Sequence, residues 1–352
     1  ETLLDFLSRM EFRTLTKRIS DQFGVEAPAM PEPAMKPVEG AGDAPDLPEA
    51  APFSHDGYEV VRDMEALRAW IARAHACGYV AVDTETTSLD EMKAKLVGIS
   101  LSTAPNLACY IPLLHRQGGD DLFGSEALED GQLPLEEVLA EIKPMLEDAS
   151  VLKIGQNMKY DAKIFARHGV EIAPIDDTML MSYAMNAGLH GHGMNALSER
   201  YLAHEPIAIK ELIGSGKSQV TFDQVKIADA APYAAEDADI TLRLWQRFKP
   251  QLHREKVTTV YETMERPLVP VLARMEMAGI KVDRDVLSRM SNSFAQKMAG
   301  LEAEIHELAG RSFNVGSPKQ LGEILFDEMA LEGGKKGKTG AYATGADVLE
   351  DL

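Results

Sequence analysis

Apolar residues are patterned differently in four successive stretches of the chain. Residues 1–24 set Leu3, Leu4, Phe6, Leu7, Met10 and Phe12 at helical spacing before a basic end at Lys17 and Arg18. That spacing predicts one amphipathic helix, too short to be a domain. Across 25–56 the periodicity is lost, and Pro28, Pro31, Pro33, Pro37, Pro45, Pro48 and Pro52 stand among Ala and acids. Such a stretch cannot form a core and reads as a semi-extended, disordered linker. Residues 57–248 mix strand and helix signals. The runs Tyr79-Val80-Ala81-Val82, Lys95-Leu96-Val97-Gly98-Ile99-Ser100-Leu101, Ala108-Cys109-Tyr110-Ile111-Pro112-Leu113 and Val151-Leu152-Lys153-Ile154 predict strands. Asn157 is placed to cap a helix running to His168, with Gly169 closing it. The expected class is α/β, a mostly buried mixed sheet flanked by helices. From about residue 249 long helices take over: 261–277 ended by Gly279, 284–308 ended by Gly310, and a third opened by Ser317-Pro318-Lys319-Gln320. That last opening has Ser as cap, Pro at the first helical position and Gln three residues after the cap.

Composition narrows this picture. With 352 residues and 45% hydrophobic content, two domains with real cores are within reach. Cys77 and Cys109 are the two cysteines and form no C-x-x-C pair, which argues against structural zinc or a disulfide framework and for a reducing cytoplasm. No apolar run approaches the roughly 20 residues that span a bilayer, and the N-terminus lacks a signal pattern. A soluble protein with no membrane partner is expected, and the missing initiator Met suggests a fragment or processed chain. The net charge of −20 argues against a simple DNA-coating protein. Any nucleic-acid contact must be local, and Gly333-Gly334-Lys335-Lys336-Gly337-Lys338 is one candidate, although such Lys/Gly segments are usually solvated loops.

The candidate chemistry lies where predicted elements begin or end. Asp83 and Glu85 follow a strand run, and residues two apart on a strand share a face. Asp161 falls in the first turn of its helix. Tyr233 and Asp237, four apart, share a helix face if Pro232 opens that helix. Carboxylates gathered at one place repel unless cations sit among them, and a pair of divalent ions performing phosphodiester hydrolysis is the economical answer. Taken singly, each motif has a plainer reading: a solvated turn at Asp-Thr-Glu, an ordinary helix start at Lys159-Tyr160-Asp161, an exposed acidic face at Glu236, Asp237 and Asp239.

In combination the motifs resemble the Klenow-type region of family A DNA polymerases of the bacterial polymerase I type. Asp83-Thr84-Glu85-Thr86-Thr87-Ser88-Leu89-Asp90 resembles the first motif of the proofreading exonuclease, and Gln156-Asn157-Met158-Lys159-Tyr160-Asp161 the second. Tyr233-Ala234-Ala235-Glu236-Asp237-Ala238-Asp239 resembles the third in its tyrosine variant. The likeness continues through 265–272 and 275–283 to 312–321, which is similar to the start of the polymerase thumb, so nearly all of the chain outside the linker is covered.

This resemblance implies a ribonuclease H-like exonuclease domain over 57–248, followed by a helical part of the polymerase domain over 249–352. Residues 1–24 would be the last helix of a 5′ nuclease domain, and 25–56 the linker. The polymerase catalytic residues would lie beyond the thumb, so this stretch should not itself synthesise DNA. The implied activity is two-metal 3′-5′ proofreading of DNA, releasing nucleoside 5′-monophosphates, with Mg or Mn as the ions and Zn as the alternative. Asp83 would bridge the two metals, Glu85 and Asp237 would complete the first site, and Asp161 would reach the second through water. Tyr233, aided by Glu85, would orient the attacking water. Leu89 would wedge against the terminal base, the plainer reading being a core leucine. Gln156 and Asn157 would lie near the single strand, and Ser317, Lys319, Lys335, Lys336 and Lys338 would grip duplex phosphates. A monomeric, cytoplasmic, nucleoid-associated bacterial protein is implied. Thr87 stands where an acidic residue is common, at a position that is not a ligand. His190 and His192 have metal-compatible spacing without a third ligand nearby, and a loop role is expected. The rival readings are an RNase D-like 3′ exoribonuclease and a non-catalytic exonuclease-like module. The polymerase-like 265–321 segment opposes the first, and the complete set of carboxylates with Tyr233 opposes the second.

Overall fold

The computed structural model describes residues 2–9, 12–25, 52–117, 127–216, 219–337 and 340–352. Most of the expected linker, and Lys338, lie outside the described residues. The chain forms two compact units, Glu1–Met277 and Ala278–Leu352.

The first unit opens with two helices, α1 (Thr2–Arg9) and α2 (Arg13–Phe23), where the sequence predicted one. Phe12 leaves the helical backbone at ψ 62°, and Gly24 closes α2 at φ 59°, a left-handed position that suits glycine.

A six-stranded mixed sheet in the order β1-β4-β3-β2-β5-β6 follows. Its strands are β1 (Tyr58–Val60), β2 (Tyr79–Thr86), β3 (Leu96–Ala104), β4 (Leu107–Pro112), β5 (Leu152–Gly155) and β6 (Ile175–Asp177). Strands β2, β3 and β4 form an antiparallel meander, while β1 joins β4, and β5 and β6 extend from β2, in parallel. This is the ribonuclease H-like arrangement that the resemblance implied. Strands β1 and β6 are three residues each, too short for alternation to reveal them.

Alternation along the sheet decides what covers each face. Val80, Val82, Ile99, Leu101, Cys109 and Ile111 face the larger core, shared with α3 (Met64–Cys77), α4 (Leu135–Glu147) and α5 (Met158–Arg167). The opposite face carries small residues, among them Ala81, Gly98, Ser100 and Ser102. Against it lies a long helix that comes after α6 (Thr178–Asn186), α7 (Met194–Leu202) and α8 (Ile209–Ile213). This is α9 (Ile227–Arg254), and its Ala230, Ala231, Ala234, Ala235 and Ala238 are buried. Small side chains on both surfaces let helix and sheet approach closely. Pro232 does not open α9, as the sequence suggested, but sits inside it, because the helix already begins at Ile227. Tyr233 and Asp237 still share a face, since the register of the helix is set upstream.

Asn157 takes a left-handed backbone, φ 63°, and its side chain does not cap α5. Asp177 caps in its place, accepting from the N–H groups of Asn157 and Met158 and from those of Met179 and Leu180 at the start of α6. After α9 come α10 (Thr258–Val260), a π-turn at Tyr261–Glu265 and α11 (Arg266–Ala278), which Gly279 closes at φ 68°. Buried Asp176 ties this stretch to α9, accepting from Trp245, Lys249, Tyr261 and Arg266. No helix among the described residues is long and apolar enough to cross a membrane.

The second unit is helical, with α12 (Arg284–Leu308), α13 (Pro318–Gly322) running into a π-turn at Glu323–Glu328, and α14 (Ala346–Glu350). Asp283 caps α12 and Ser317 caps α13, with Pro318 at its first position as the sequence predicted. An isolated bridge pairs Lys336 with Tyr342.

Candidate active site

Strand β2 stays extended through Glu85, so Asp83 and Glu85 project together from the face that α9 covers. The same approach delivers Asp237. One carboxylate oxygen from each of Asp83, Glu85 and Asp237 lies within 4.8 Å of the others. Glu85 and Asp237 are buried, at 8% and 9% exposure, and Asp83 is half-buried. The exposed acidic face that the third motif permitted is thus ruled out, since Glu236 and Asp239 are buried as well.

Asp161 reaches the site by another route. Strand β5 pairs with β2 only along Tyr79–Ala81, which leaves the β2 edge beyond it open. Helix α5 starts just past the end of β5 and places Asp161 at that edge. There its Oδ1 accepts from the Thr84 backbone N–H at 3.1 Å and from the Thr84 hydroxyl at 2.5 Å. Asp161 stands beside the triad of carboxylates and is not within the 4.8 Å group.

The electrostatics are those of negative charge held without compensation. Burial first, then Asp237, pushes the Asp83 carboxyl well above its ordinary range. Glu85 is raised by burial and by Asp83, Asp237 and Asp161, and Asp161 by burial and Asp83. Burial brings Asp237 up to about 7, although a hydrogen bond from the Tyr233 hydroxyl pulls it back. Tyr233 itself is raised by burial and by the same carboxylates, so it remains a protonated donor. Among the described residues no ion pair reaches any of the four acids, and the buried Glu85 Oε1 has no hydrogen-bond partner. A buried carboxylate oxygen in that condition calls for a proton or a cation. Three convergent oxygen donors are the set a hard divalent ion takes, and the residues fit one.

Behind Glu85 lies a rigid floor. Gly98, its partner on β3, has no room for a Cβ because the Tyr110 ring and hydroxyl press against it. Tyr110 is held in turn by His115, fully buried. The Nδ1 of His115 lies 2.7 Å from the Val225 carbonyl and so carries the proton, leaving Nε2 to accept from the Tyr110 hydroxyl at 2.7 Å. The sequence offered no sign of this floor, because Tyr110 and His115 read as ordinary strand and loop residues.

The remaining expected site residues are dispersed. Leu89 is 94% exposed, which excludes the core reading. Its loop is closed by Thr87, whose N–H and hydroxyl bond to Lys95. Gln156 donates to the His192 carbonyl at 2.8 Å and accepts from the Thr178 hydroxyl, while Asn157 is exposed. His190 bonds to Tyr201 and His192 to Ser182, and no metal-type cluster of the described residues includes either, in keeping with the loop role. Ser317, Lys319, Lys335 and Lys336 belong to the second unit. The Ser317 hydroxyl is engaged as a cap, Lys319 pairs loosely with Glu323 and Lys336 lies over the Tyr342 ring.

Two acids of the third motif have a role that sequence reading missed. Glu236 accepts from the Ile207 N–H and bonds to His55 and His204, and Asp239 accepts from Tyr58 and Arg243. They tie the segment entering β1 to α9 on either side of Asp237.

Comparison with known proteins agrees with this geometry. Residues 58–253 match the model of a 3′-5′ exonuclease family, and residues 284–352 match DNA polymerase family A. The DNA polymerase I of Rhizobium leguminosarum is 47% identical over 99% of this chain, and that of Pseudomonas aeruginosa is 41% identical over 84%. The chain spans 40% and 32% of those relatives' own lengths. A solved structure described as the POL domain of Pol1 from M. smegmatis in complex with DNA primer-template and dNTP shares the fold. It superposes with a TM-score of 0.64 at 24% identity, over 83% of this chain and 44% of that one. The chain belongs to the 3′-5′ exonuclease family and continues into a family A DNA polymerase domain.

Proposed function

We propose that this chain removes nucleotides from the 3′ end of DNA, hydrolysing the terminal phosphodiester to release a nucleoside 5′-monophosphate, as the editing part of a bacterial DNA polymerase. The observation that carries this reading is the convergence of Asp83, Glu85 and Asp237 within 4.8 Å, two of them buried and Asp83 half-buried, with no ion pair to a cationic side chain among the described residues. Asp83, Glu85 and Asp237 would hold one divalent ion, and Asp83 with Asp161 a second, Mg or Mn before Zn. Ions held there would lower the pKa of water and offset the charge gathered on the phosphoryl group and the departing 3′ oxygen.

The side chains supply the rest. Tyr233, whose hydroxyl donates a hydrogen bond to Asp237, keeps its oxygen lone pairs available to accept from and orient the attacking water, and Glu85 fixes the water from the other side. Thr84 holds Asp161 in place. Exposed Leu89 meets the terminal base, with Gln156 and Asn157 along the strand leading to it. A frayed mismatch separates into single strand more cheaply than a paired end, and the selectivity of editing follows from that difference. Ser317, Lys319, Lys335, Lys336 and Lys338 would contact duplex phosphates without reading sequence. The protein acts as a monomer in the bacterial cytoplasm, near the nucleoid.

The test compares degradation of single-stranded DNA and RNA of one sequence with Mg or Mn present. Metal-dependent shortening of the DNA from its 3′ end, abolished in Asp83→Ala and Asp237→Ala, is the expected result. A strong preference for RNA, or digestion by both variants at the parent rate, overturns the reading.

A further inference from the structure

One face of α5 holds the loop that carries Leu89. Tyr160, Lys163 and Arg167 stand at i, i+3 and i+7 on that helix. Tyr160 donates to the Ser88 carbonyl at 2.6 Å, Arg167 donates to the carbonyls of Glu91 and Ala94 at 2.8 and 2.5 Å, and Lys163 forms an ion pair with Glu91. Lys163 is 2% exposed, and its other partner is Glu276 of α11 at 2.5 Å. Glu276 also takes Lys159, at 2.6 Å, so α11 grips α5 on both sides of Asp161 in sequence.

A cleft of about 650 Å³, lined by Ala162 and Ala166 of α5 and by Ala273 and Met277 of α11, separates the helices. Ion pairs join α11 to α5 at this end, and Lys163 is the buried cation at the crossing of the Leu89 loop, α5 and α11. A lysine with its ammonium out of water and two carboxylates on it holds those carboxylates in a defined place.

We propose that Lys163 is a positioning residue for the 3′-terminal nucleotide: through Glu91 it fixes the stance of the Leu89 loop, and through Glu276 it sets that stance by reference to α11. This rests on the nuclease reading above. The polar partners of Lys163 are Glu91 and Glu276 and not Asp83, Glu85 or Asp237, so its loss is expected to act on binding of the terminal nucleotide and not on the chemical step.

The test is a cycle of Lys163→Met and Leu89→Ala, alone and together, with steady-state hydrolysis of a single-stranded oligonucleotide. Lys163→Met is expected to raise KM about tenfold while kcat stays within about twofold, and to add nothing further in the Leu89→Ala background, as coupled neighbours behave. Glu91→Ala, at a partly exposed position, is expected to do the same and decides the matter if Lys163→Met does not fold. An unchanged KM in a folded variant, or effects that simply add to those of Leu89→Ala, overturns the proposal while leaving the nuclease reading intact. A parent protein that does not hydrolyse the oligonucleotide overturns both.

Discussion

Thr84 donates twice to Asp161, through its backbone N–H at 3.1 Å and its hydroxyl at 2.5 Å, and both bonds end on the same carboxylate oxygen. The open edge of β2 is thereby satisfied, and Asp161 is aimed by the strand that carries Asp83 and Glu85. Thr84→Val keeps the shape and the N–H but removes the hydroxyl. A hydrogen bond to a charged group contributes roughly 1.5–3 kcal/mol, so metal-dependent activity should fall by about ten- to a hundredfold. Thr84→Ser should recover most of it. Equal activity in the Val and Ser variants would show that the hydroxyl does not position Asp161.

The clustered acids make stability depend on pH in an unusual direction. Asp237 rises from 3.8 to about 7, and Asp83, Glu85 and Asp161 move the same way. A raised carboxyl binds its proton more tightly folded than unfolded, so its stabilising contribution is complete below its unfolded pKa and is lost as pH climbs through the folded one. The metal-free protein should therefore melt lower at pH 8 than at pH 5, by roughly 5–10 °C for a loss on the order of a few kcal/mol. Thermal scans in EDTA check this, and added Mn should reverse the fall. Asp237→Asn should flatten the profile, and a parent more stable at pH 8 than at pH 5 in EDTA contradicts it.

Tyr233 hydrogen-bonds to Asp237, and in the proposed reaction it also orients the attacking water. Tyr233→Phe is expected to lower kcat by about ten- to a hundredfold with the fold intact. The lost hydrogen bond was holding the Asp237 pKa down, so the acidic limb of the pH–rate profile should also move to higher pH. A lower kcat with an unmoved limb would mean that the hydroxyl serves the water alone.

Gly98 is needed because Tyr110 occupies the space a side chain would take. Gly98→Ala should destabilise the first unit by about 1–3 kcal/mol through overpacking. Adding Tyr110→Phe should not rescue it, because the ring as well as the hydroxyl meets the new Cβ. Chemical denaturation of the two variants distinguishes this from a clash with the hydroxyl alone.

Much of the site was legible because its residues sit at element ends set by period and punctuation. Asp83 and Glu85 close a readable strand run, and α12 was found to the residue, Arg284–Leu308, with Gly310 marking its end; the Asp283 cap came from the structure. What could not be read was tertiary in origin. Nothing local tells that Asp177 will cap α5 from another strand, that Pro232 will be tolerated inside α9, or that Asn157 will be left-handed and leave its helix uncapped. The buried Glu236 and Asp239 allowed a reading as surface charges, and Lys163 gave no signal at all, since a charged residue reveals its burial only when its partner, far away in sequence, is known.

The central claim is that Asp83, Glu85, Asp161 and Asp237 form a site for divalent ions. Titration of the protein with Mn(II), followed by electron paramagnetic resonance, measures it directly. The expected result is two bound ions with mutual dipolar broadening in the parent, and loss of that paired signal in Asp83→Asn. Absence of bound Mn(II) in the parent, or the same paired signal in the variant, contradicts it.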